Sequence, residues 1–356
     1  MENLNGNLGN FLKYRHQAVA AVERLHKEIP SERSRHALAS EYLKSGYALL
    51  KSGALDEAWK INQRALEIET ELLNQATGNL AYRRTLSSIH SNQGEVERAR
   101  NNISSAVEHY KQALAINEQI AVQDPKDALA RYNVRFQAAA LGDALLEHND
   151  PRQALIPLRK ALDRGPEATP LPPEARIYQI FIYLNLAQAQ WKTGDREGAK
   201  QSLSESRSIL KSMPVNRIYA SGVNAHSAQI RMGKLMMDLG DDDQALSYLT
   251  QALDSIRAQI AAKPSSINLR RDLPGCYDAL GKYHATLAAR SGLSHELQLV
   301  HWREARHWYQ QNLMALRELV TQFPGDIQSA RYMEEVSQKI ARCDAALAEL
   351  AVTQKR

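Results

Sequence analysis

The sequence predicts an all-α protein: a superhelix (α-α solenoid) of about six long helix hairpins with capping helices. The chain has 356 residues, more than the roughly 250 to 300 that one core usually accommodates. Helix breakers are few, with 17 Gly and 12 Pro, whereas the strong helix formers Ala and Leu are abundant. A pattern of small residues also recurs along the chain, which is typical of repeat architectures.

Six small residues anchor the repeat, with intervals of 48, 48, 45, 46 and 48 residues: Gly46, Gly94, Gly142, Ala187, Gly233 and Gly281. Most anchors are followed by Gly or Asn at +7 and by Ala at +12 and +19. Small residues let two antiparallel helices approach closely, and Gly or Asn at +7 ends the first helix in a tight turn. Asp150, Asp195 and Asp241 follow this turn as N-cap signals for the second helix. Each repeat is therefore predicted to be a helix hairpin.

The first half of the chain is predicted to hold an N-terminal helix and three repeats. Residues 1–34 contain one helix, at 8 to 28, that serves as a half-repeat or a cap. Repeats 1 to 3 occupy residues 35–164. The segment 165–174 has four prolines in ten residues, so it cannot be helical and is expected to bend the superhelix.

The second half is predicted to hold repeats 4 to 6, over residues 175–324. The sixth repeat keeps its spacing only after an insertion at about 288–300, expected to be a loop with a short extra helix. Residues 325–356 are predicted to form a long capping helix. The last three of these residues are expected to be disordered.

The repeat resembles the tetratricopeptide repeat, whose signature pairs Leu-Gly and a Tyr on the first helix with Ala, an aromatic residue, Ala and Pro on the second. The matching residues are Leu280 with Gly281; Tyr42, Tyr183 and Tyr277; Ala106, Tyr110 and Ala113; and Ala245, Leu249 and Ala252. The period of 45 to 48 exceeds the usual 34, so both helices are expected to be about two turns longer. This resemblance implies a protein or peptide partner held in a concave groove.

A row of arginines stands eleven residues before five of the anchors: Arg35, Arg83, Arg131, Arg176 and Arg270. The surrounding sequence resembles the tetratricopeptide tails of bacterial eukaryotic-like serine/threonine protein kinases, although no kinase motif is present in this chain. That resemblance implies a sensing or scaffolding role in kinase signalling. The arginines have two interpretations: a basic ladder for an acidic ligand, or side chains that bind the carbonyl end of the preceding helix.

The composition argues against several classes of function. The net charge is +5, from 45 Lys and Arg against 40 Asp and Glu, and the basic residues lie singly or in pairs, which argues against a nucleic-acid partner. Cys276 and Cys343 are far apart in sequence and are interpreted as packing residues, not metal ligands. Since no stretch is apolar enough for a membrane span or a signal peptide, we expect a cytoplasmic location without a membrane segment.

No motif in the sequence predicts an enzyme, a cofactor or a metal site. Gly275 to Tyr283 lacks the spacing and the Ser or Thr of a phosphate-binding loop. Asp238 to Ala245 lacks the Gly and Glu of a calcium loop and is interpreted as an acidic helix start. His301 and His307 are six residues apart on one helix and point to different faces, so they do not form a metal site.

The sequence therefore predicts a non-catalytic module that binds a protein or peptide in its groove. The register of the repeat places eleven residues on the groove: Tyr47, Lys51, Arg98, Phe181, Leu184, Gln188, Trp191, Lys192, Lys234, Met237 and Lys282. The exposed apolar members would attract a partner, unless the long helices bury them within the chain. The alternative function is a nucleic-acid-binding regulator that uses the row of arginines.

Overall fold

The structure, a computed structural model, describes residues 8–163, 173–212, 225–264, 266–322 and 327–353. Within these ranges the chain forms fourteen helices and no strand. In chain order they are α1 (Leu8–Glu28), α2 (Glu32–Ser52), α3 (Leu55–Gln75), α4 (Leu80–Ala99), α5 (Ile103–Gln123), α6 (Ala128–Glu147), α7 (Pro151–Leu162), α8 (Pro173–Lys192), α9 (Arg196–Lys211), α10 (Ala225–Leu239), α11 (Asp242–Ala262), α12 (Ile267–Ala288), α13 (His295–Gln322) and α14 (Ile327–Thr353).

The chain divides into two compact units. Unit 1 comprises residues 1–171 and 185–199, and unit 2 comprises residues 172–184 and 200–356. In unit 1 each helix packs on its neighbours in sequence, so that α4 contacts α3 and α5, and α6 contacts α5 and α7. In unit 2, α12 packs on α10, α11 and α13, and α13 also packs on α14.

The predicted turn between the two helices of a hairpin is confirmed in the first five repeats. The residue at +7 has a positive φ in each of them: Gly53 (84°), Asn101 (64°), Asn149 (60°), Gly194 (91°) and Gly240 (85°). Only Gly, and less readily Asn, adopts this left-handed conformation without a large steric cost. The predicted N-caps are confirmed as well, since the Asp150, Asp195 and Asp241 side chains accept hydrogen bonds from backbone N–H groups three residues on.

The anchor glycine of a repeat is needed because a large side chain of the second helix lies on it. A Cβ atom at Gly94 would lie 2.8 Å from the Tyr110 ring, and one at Gly233 would lie 2.8 Å from Leu249. A Cβ atom would clash in the same way at three other anchors: at Gly46 with Asn62, at Gly142 with Leu158 and at Gly281 with Tyr309. Apart from the insertion in repeat 6, the partner is always sixteen residues beyond the anchor. The sequence analysis includes Tyr110 and Leu249 in the repeat signature, but it does not predict that this position contacts the anchor.

The predicted packing role of alanine is confirmed. The alanines at +12 and +19 are fully buried: Ala58, Ala65, Ala106, Ala113, Ala154, Ala161, Ala199, Ala245 and Ala252.

Cys276 and Cys343 are free thiols and are also buried, as interpreted from the sequence. Burial raises the pKa of Cys276 to about 12 and that of Cys343 to about 11, so both stay protonated at neutral pH.

The structure differs from three of the predictions about local structure. The insertion at 288–300 does not hold a separate short helix, because α13 begins at His295 and continues to Gln322. Pro173 and Glu174 belong to α8, since Pro is well tolerated in the first turn of a helix; residues 164–172 and the tail 354–356 lie outside the described residues. The second helices of repeats 3 and 4, α7 and α9, have 12 and 16 residues, so the predicted lengthening does not extend to them.

Candidate binding surfaces

Four of the eleven predicted groove residues are exposed: Tyr47, Lys51, Lys192 and Lys282. In repeat 1, Tyr47 is 53% exposed and Lys51 is exposed one turn later, with its Nζ atom 5.1 Å from the centre of the Tyr47 ring. A cation over an aromatic ring orients both side chains. These two residues lie on the surface of α2, and their place on a binding groove stays a prediction.

Arg98 is engaged within the chain. Its guanidinium donates to Asp143 at 2.6 Å and to Glu147 at 2.7 Å, so it joins α4 to α6. The hydrogen bond with Glu147 is the main reason why the pKa of Arg98 is raised, against the opposing effect of burial. Because both acceptors come from the next repeat, Arg98 stabilises the packing of repeats 2 and 3.

An apolar stripe runs along the first half of α6. Leu129, Tyr132 and Phe136 are 53%, 51% and 43% exposed, and the Tyr132 and Phe136 rings stack with their centres 6.4 Å apart. The spacing of three and four residues places all three on one side of the helix. We call these three residues the α6 aromatic stripe. None of the three is among the eleven predicted groove residues, although their helical spacing is visible in the sequence.

The predicted residues of α8 have mixed environments. Phe181 is half-buried, and the Arg231 guanidinium lies 5.7 Å from its ring centre. Trp191 is also half-buried, with the Arg196 guanidinium 5.1 Å from its ring centre. Gln188 is partly buried, and the exposed Lys192 donates to the Asn149 side chain at 3.3 Å.

Two predicted groove residues belong to the core. Leu184 is 2% exposed and Met237 is 6% exposed, so their predicted place on the groove is wrong. The alternative interpretation, burial of the apolar residues within the chain, holds for Leu184. On a helix that is apolar on most sides, the repeat spacing alone does not fix the rotation, and a shift of one residue turns a side chain by about 100°.

A group of cations lies where α10, α12 and α14 of unit 2 meet. Lys234 of α10 and Lys282 of α12 each follow an anchor glycine by one residue. Lys339 of α14 donates to the buried Asp278 carboxylate at 2.5 Å. Arg231 adds a fourth cation one turn before Lys234. We call Arg231, Lys234, Lys282 and Lys339 the cationic cluster.

The row of arginines is used largely inside the chain. Arg83 donates to the Thr77 carbonyl at 3.0 and 2.7 Å, and Arg270 donates to the Pro264 carbonyl at 3.2 and 2.8 Å. Arg131 donates in the same way to the Pro125 carbonyl. Each of these carbonyls lies two residues beyond the end of the preceding helix. These contacts support the interpretation that the arginines close the carbonyl end of that helix.

Several ionisable groups are buried between helices. Glu69 is fully buried, with its carboxylate 2.9 Å from His36 Nδ1, and burial raises the pKa of Glu69 to about 8. His90 and His284 each lie 3.1 Å, Nδ1 to Nδ1, from a second histidine, His109 and His301 respectively. Burial is the main reason why the pKa values of His90 and His284 fall to about 4, so these two histidines are neutral at physiological pH.

The described part of the chain also bears on metal binding and on membrane insertion. Within these ranges, no three or more His, Cys, Asp or Glu residues form a group that could hold a metal ion. None of the helices there is both long enough and apolar enough to cross a membrane.

The stacked two-helix repeats, the left-handed turn at +7 and the small contact positions together define an array of the tetratricopeptide type. Residues 182–206, within repeat 4, match the family model described as "Tetratricopeptide repeat". The predicted resemblance to the tetratricopeptide repeat is therefore confirmed. No curated protein matches the chain.

Two solved structures show the same fold. The chain is similar to BtubC (BKLC) from P. vanneervenii, with 18% identity and a TM-score of 0.54, over 71% of this chain and 92% of that one. It is also similar to a tetratricopeptide repeat protein from Parabacteroides merdae ATCC 43184, with 10% identity and a TM-score of 0.51, over 96% of this chain and 98% of that one. The predicted fold class, an all-α solenoid of helix hairpins, is confirmed.

Proposed function

We propose that this protein is a non-catalytic interaction module that binds a protein or peptide on the outward faces of its first helices. The observation that carries the proposal is the α6 aromatic stripe. Two stacked aromatic rings and a leucine, all about half exposed, are costly to leave in water, and a partner that covered them would gain by their burial. Aromatic side chains of this kind dominate the binding energy of protein interfaces.

The surroundings of the stripe favour a peptide partner. The polar residues beside it are committed to the fold: Arg84 pairs with the Asp127 carboxylate, and Arg135 donates to the Ala161 carbonyl at 3.1 Å. A rim of satisfied polar groups around an apolar centre is the usual anatomy of an interface. An extended or helical segment with an apolar side chain every three or four residues would match the spacing of the stripe.

A non-catalytic role is consistent with the position of the perturbed ionisable groups. Glu69, His90 and His284 have strongly shifted pKa values, yet they lie between packed helices. Burial, and not the arrangement of a reaction site, is the first cause of each shift. By the resemblance to kinase tails, we further propose a sensing or scaffolding role in bacterial kinase signalling. A cytoplasmic location belongs to this proposal and agrees with two free, buried thiols.

The test selects peptides from a displayed random library against the wild-type protein and measures their affinity for variants by calorimetry. Tyr132→Ser combined with Phe136→Ser is expected to weaken binding by at least tenfold, about 1.4 kcal/mol. The control, Val122→Ser combined with Ile156→Ser, removes exposed apolar side chains (78% and 71% exposed) elsewhere in unit 1 and is expected to bind normally.

Equal affinity of both folded double variants would show that the stripe is not the binding site. A second pair, Phe181→Ala with Trp191→Ala, tests the aromatic residues of α8 that the sequence placed on the groove. Loss of binding in this pair alone would move the site to α8. Helix content by circular dichroism confirms in each case that the variants fold.

A further inference from the structure

The last described helix, α14, lies where the first helix of a seventh hairpin would lie. Gly281 is 28 residues from its partner Tyr309, whereas the anchors of repeats 1, 2, 3 and 5 are sixteen residues from theirs, so the insertion adds twelve residues. One period of 48 residues plus these twelve places a seventh anchor at Ala341. α14 also packs on α13, as α4 packs on α3 and α6 on α5. The buried residues agree with this register: Val336 and Cys343 of α14 stand where Cys276 and Tyr283 stand in repeat 6.

The face of a first helix that carries its second helix is open in α14. In repeat 6, Gly281 lies under the Tyr309 ring of α13. On the same face of α12, Ala285 packs against the core that contains Tyr309, and Ala288 is 2% exposed. The three residues of α14 at the corresponding positions are instead exposed: Ala341, Ala345 and Ala348. We call these three residues the α14 alanine face.

The first described helix, α1, lies where the second helix of a preceding hairpin would lie. It packs on α2, as α3 packs on α4. It ends four residues before α2 begins, whereas α3 ends five residues before α4 begins. Since the period is 48 and this link is one residue shorter, each residue of α1 corresponds to the α3 residue 47 positions later.

The face of α3 that packs on its own first helix is apolar and covered. Ala65 packs in one core with Tyr42 of α2. Ile61 and Ile68 lie against that core, and Leu72 is fully buried. The four residues of α1 that correspond to this face are exposed or partly exposed: Tyr14 (65%), Ala18, Ala21 and Leu25 (45%). We call these four residues the α1 apolar face.

The two open faces have complementary shapes. In the described hairpins a small anchor lies under a large side chain of the second helix, as Gly94 lies under Tyr110 and Gly233 under Leu249. The α14 alanine face is small throughout, whereas the α1 apolar face carries Tyr14 and Leu25. Two α1 faces would bring large side chains against each other, and two α14 faces would bury little apolar surface. The combination of one face of each kind reproduces the contact that holds every described hairpin together and removes apolar area from water.

We propose that the α1 apolar face of one copy of this protein binds the α14 alanine face of a second copy. The two helices would lie antiparallel and complete a hairpin between chains. Such an interface is heterologous, because the two copies contribute different surfaces, and each copy keeps one unused face for a further copy. Association therefore continues head to tail into a ring or an open chain. This inference is independent of the α6 aromatic stripe and goes beyond the proposed function.

Sedimentation velocity of the full chain over about a hundredfold range of concentration measures this association. The mass is expected to rise from that of the monomer, 39.9 kDa, towards multiples of it. Ala21→Lys with Leu25→Lys blocks the α1 apolar face, and Ala341→Lys with Ala345→Lys blocks the α14 alanine face. Each double variant is expected to weaken self-association at least tenfold. Both should fold, as circular dichroism would confirm, since the replaced side chains are exposed and Lys favours helices.

Mixing the two blocked variants distinguishes a heterologous interface from a symmetric one. The α1 variant keeps an intact α14 alanine face, and the α14 variant keeps an intact α1 apolar face. Their mixture is therefore expected to form a dimer with one copy of each variant and no larger species. Val122→Lys with Met314→Lys is the matched control, since it adds two charges at exposed apolar positions elsewhere (78% and 56% exposed) and should associate as the wild type does.

Three results would overturn the inference: a monomer at every concentration, equal losses in the blocked and control variants, or no dimer in the mixture. If the α14 variant associated normally and only the α1 variant failed, the interface would be a symmetric pair of α1 helices. The α6 variant Tyr132→Ser with Phe136→Ser should associate as the wild type does. Loss of peptide binding in that variant without loss of association would separate this inference from the proposed function.

Discussion

Replacing the anchor glycine of repeat 6 tests how the hairpins are held at their spacing. In Gly281→Ala, the new Cβ atom would lie 2.5, 2.6 and 2.9 Å from three carbons of the Tyr309 ring. Carbon atoms in contact prefer about 3.5 to 4.0 Å, so the ring must retreat by roughly 1 Å. It has little room, because Tyr309 is 5% exposed and packs in a core with Leu316, Val336 and Cys343.

The expected change in the free energy of unfolding of Gly281→Ala follows from two opposing effects. Overpacking of a core costs typically about 1 to 3 kcal/mol, and this close overlap with an enclosed ring places the cost near about 3. Alanine in a helix gains about 1 kcal/mol over glycine, so the net loss of unfolding free energy is about 2 kcal/mol. Gly275→Ala is the matched control, since Gly275 lies in the same helix and its Cβ would meet nothing within 4 Å. We expect this control to be stabilised by up to about 1 kcal/mol.

Urea unfolding followed by circular dichroism measures both variants, and their difference of about 3 kcal/mol isolates the packing cost. Tyr309→Ala in the Gly281→Ala background should lose less stability than the sum of the single changes, because it removes the ring carbons that the new Cβ atom would meet. If the two alanine variants are equally stable, the glycine does not set the spacing of the helices.

Three further predictions concern the turn, the row of arginines and a buried acid. Asn149→Ala is expected to lower the unfolding free energy by about 1 kcal/mol, because φ is 60° at this position, whereas Asn149→Gly should be nearly neutral in the same urea titration. Arg83→Ala removes two hydrogen bonds to the Thr77 carbonyl and should lower the melting temperature by an amount equivalent to about 1 kcal/mol; an unchanged value would show that these bonds add nothing. The pKa of Glu69 is raised from 4.5 to about 8 in the folded protein. Between these two pH values the folded state keeps a proton on Glu69 that the unfolded state has released. The stabilisation from this protonation is therefore fully present below pH 4.5 and is lost as the pH rises through about 8. Glu69→Gln should therefore gain stability relative to the wild type between about pH 5 and about pH 8.5, and a constant difference across that range would contradict the raised pKa.

The sequence predicted those parts of the fold that depend on spacing. The period located the hairpins, the turn residues Asn101 and Gly240, and the buried alanines, because each of these requirements acts on one residue type at one position. The contact between each anchor and the residue opposite it was missed, since Asn, Tyr and Leu all occupy that position and only their distance from the anchor in sequence is constant. The start of α13 was missed although two residues mark it: Gly292 has a φ of 88°, and the Ser294 side chain accepts a hydrogen bond from the Leu297 N–H.

The binding surfaces were predicted less well. Leu184 and Met237 were misplaced because their helices are apolar on several sides, so composition does not fix the rotation. The engagement of Arg98 by Asp143 and Glu147 was also missed. A usable signal was present, however, since these residues are 45 and 49 positions apart, close to one period. Searching for opposite charges one period apart would have found this network.

The anchor and the residue that follows it are under different structural constraints. The anchor itself is Gly in five repeats and Ala in the other, whereas the residue after it is Tyr47, Glu95, Asp143, Gln188, Lys234 or Lys282. A single peptide bond thus joins a residue constrained by helix spacing to one that is free to vary. Changes of specificity can accumulate in this row without disturbing the hairpins, and a designed array could be given a new ligand by rewriting six residues.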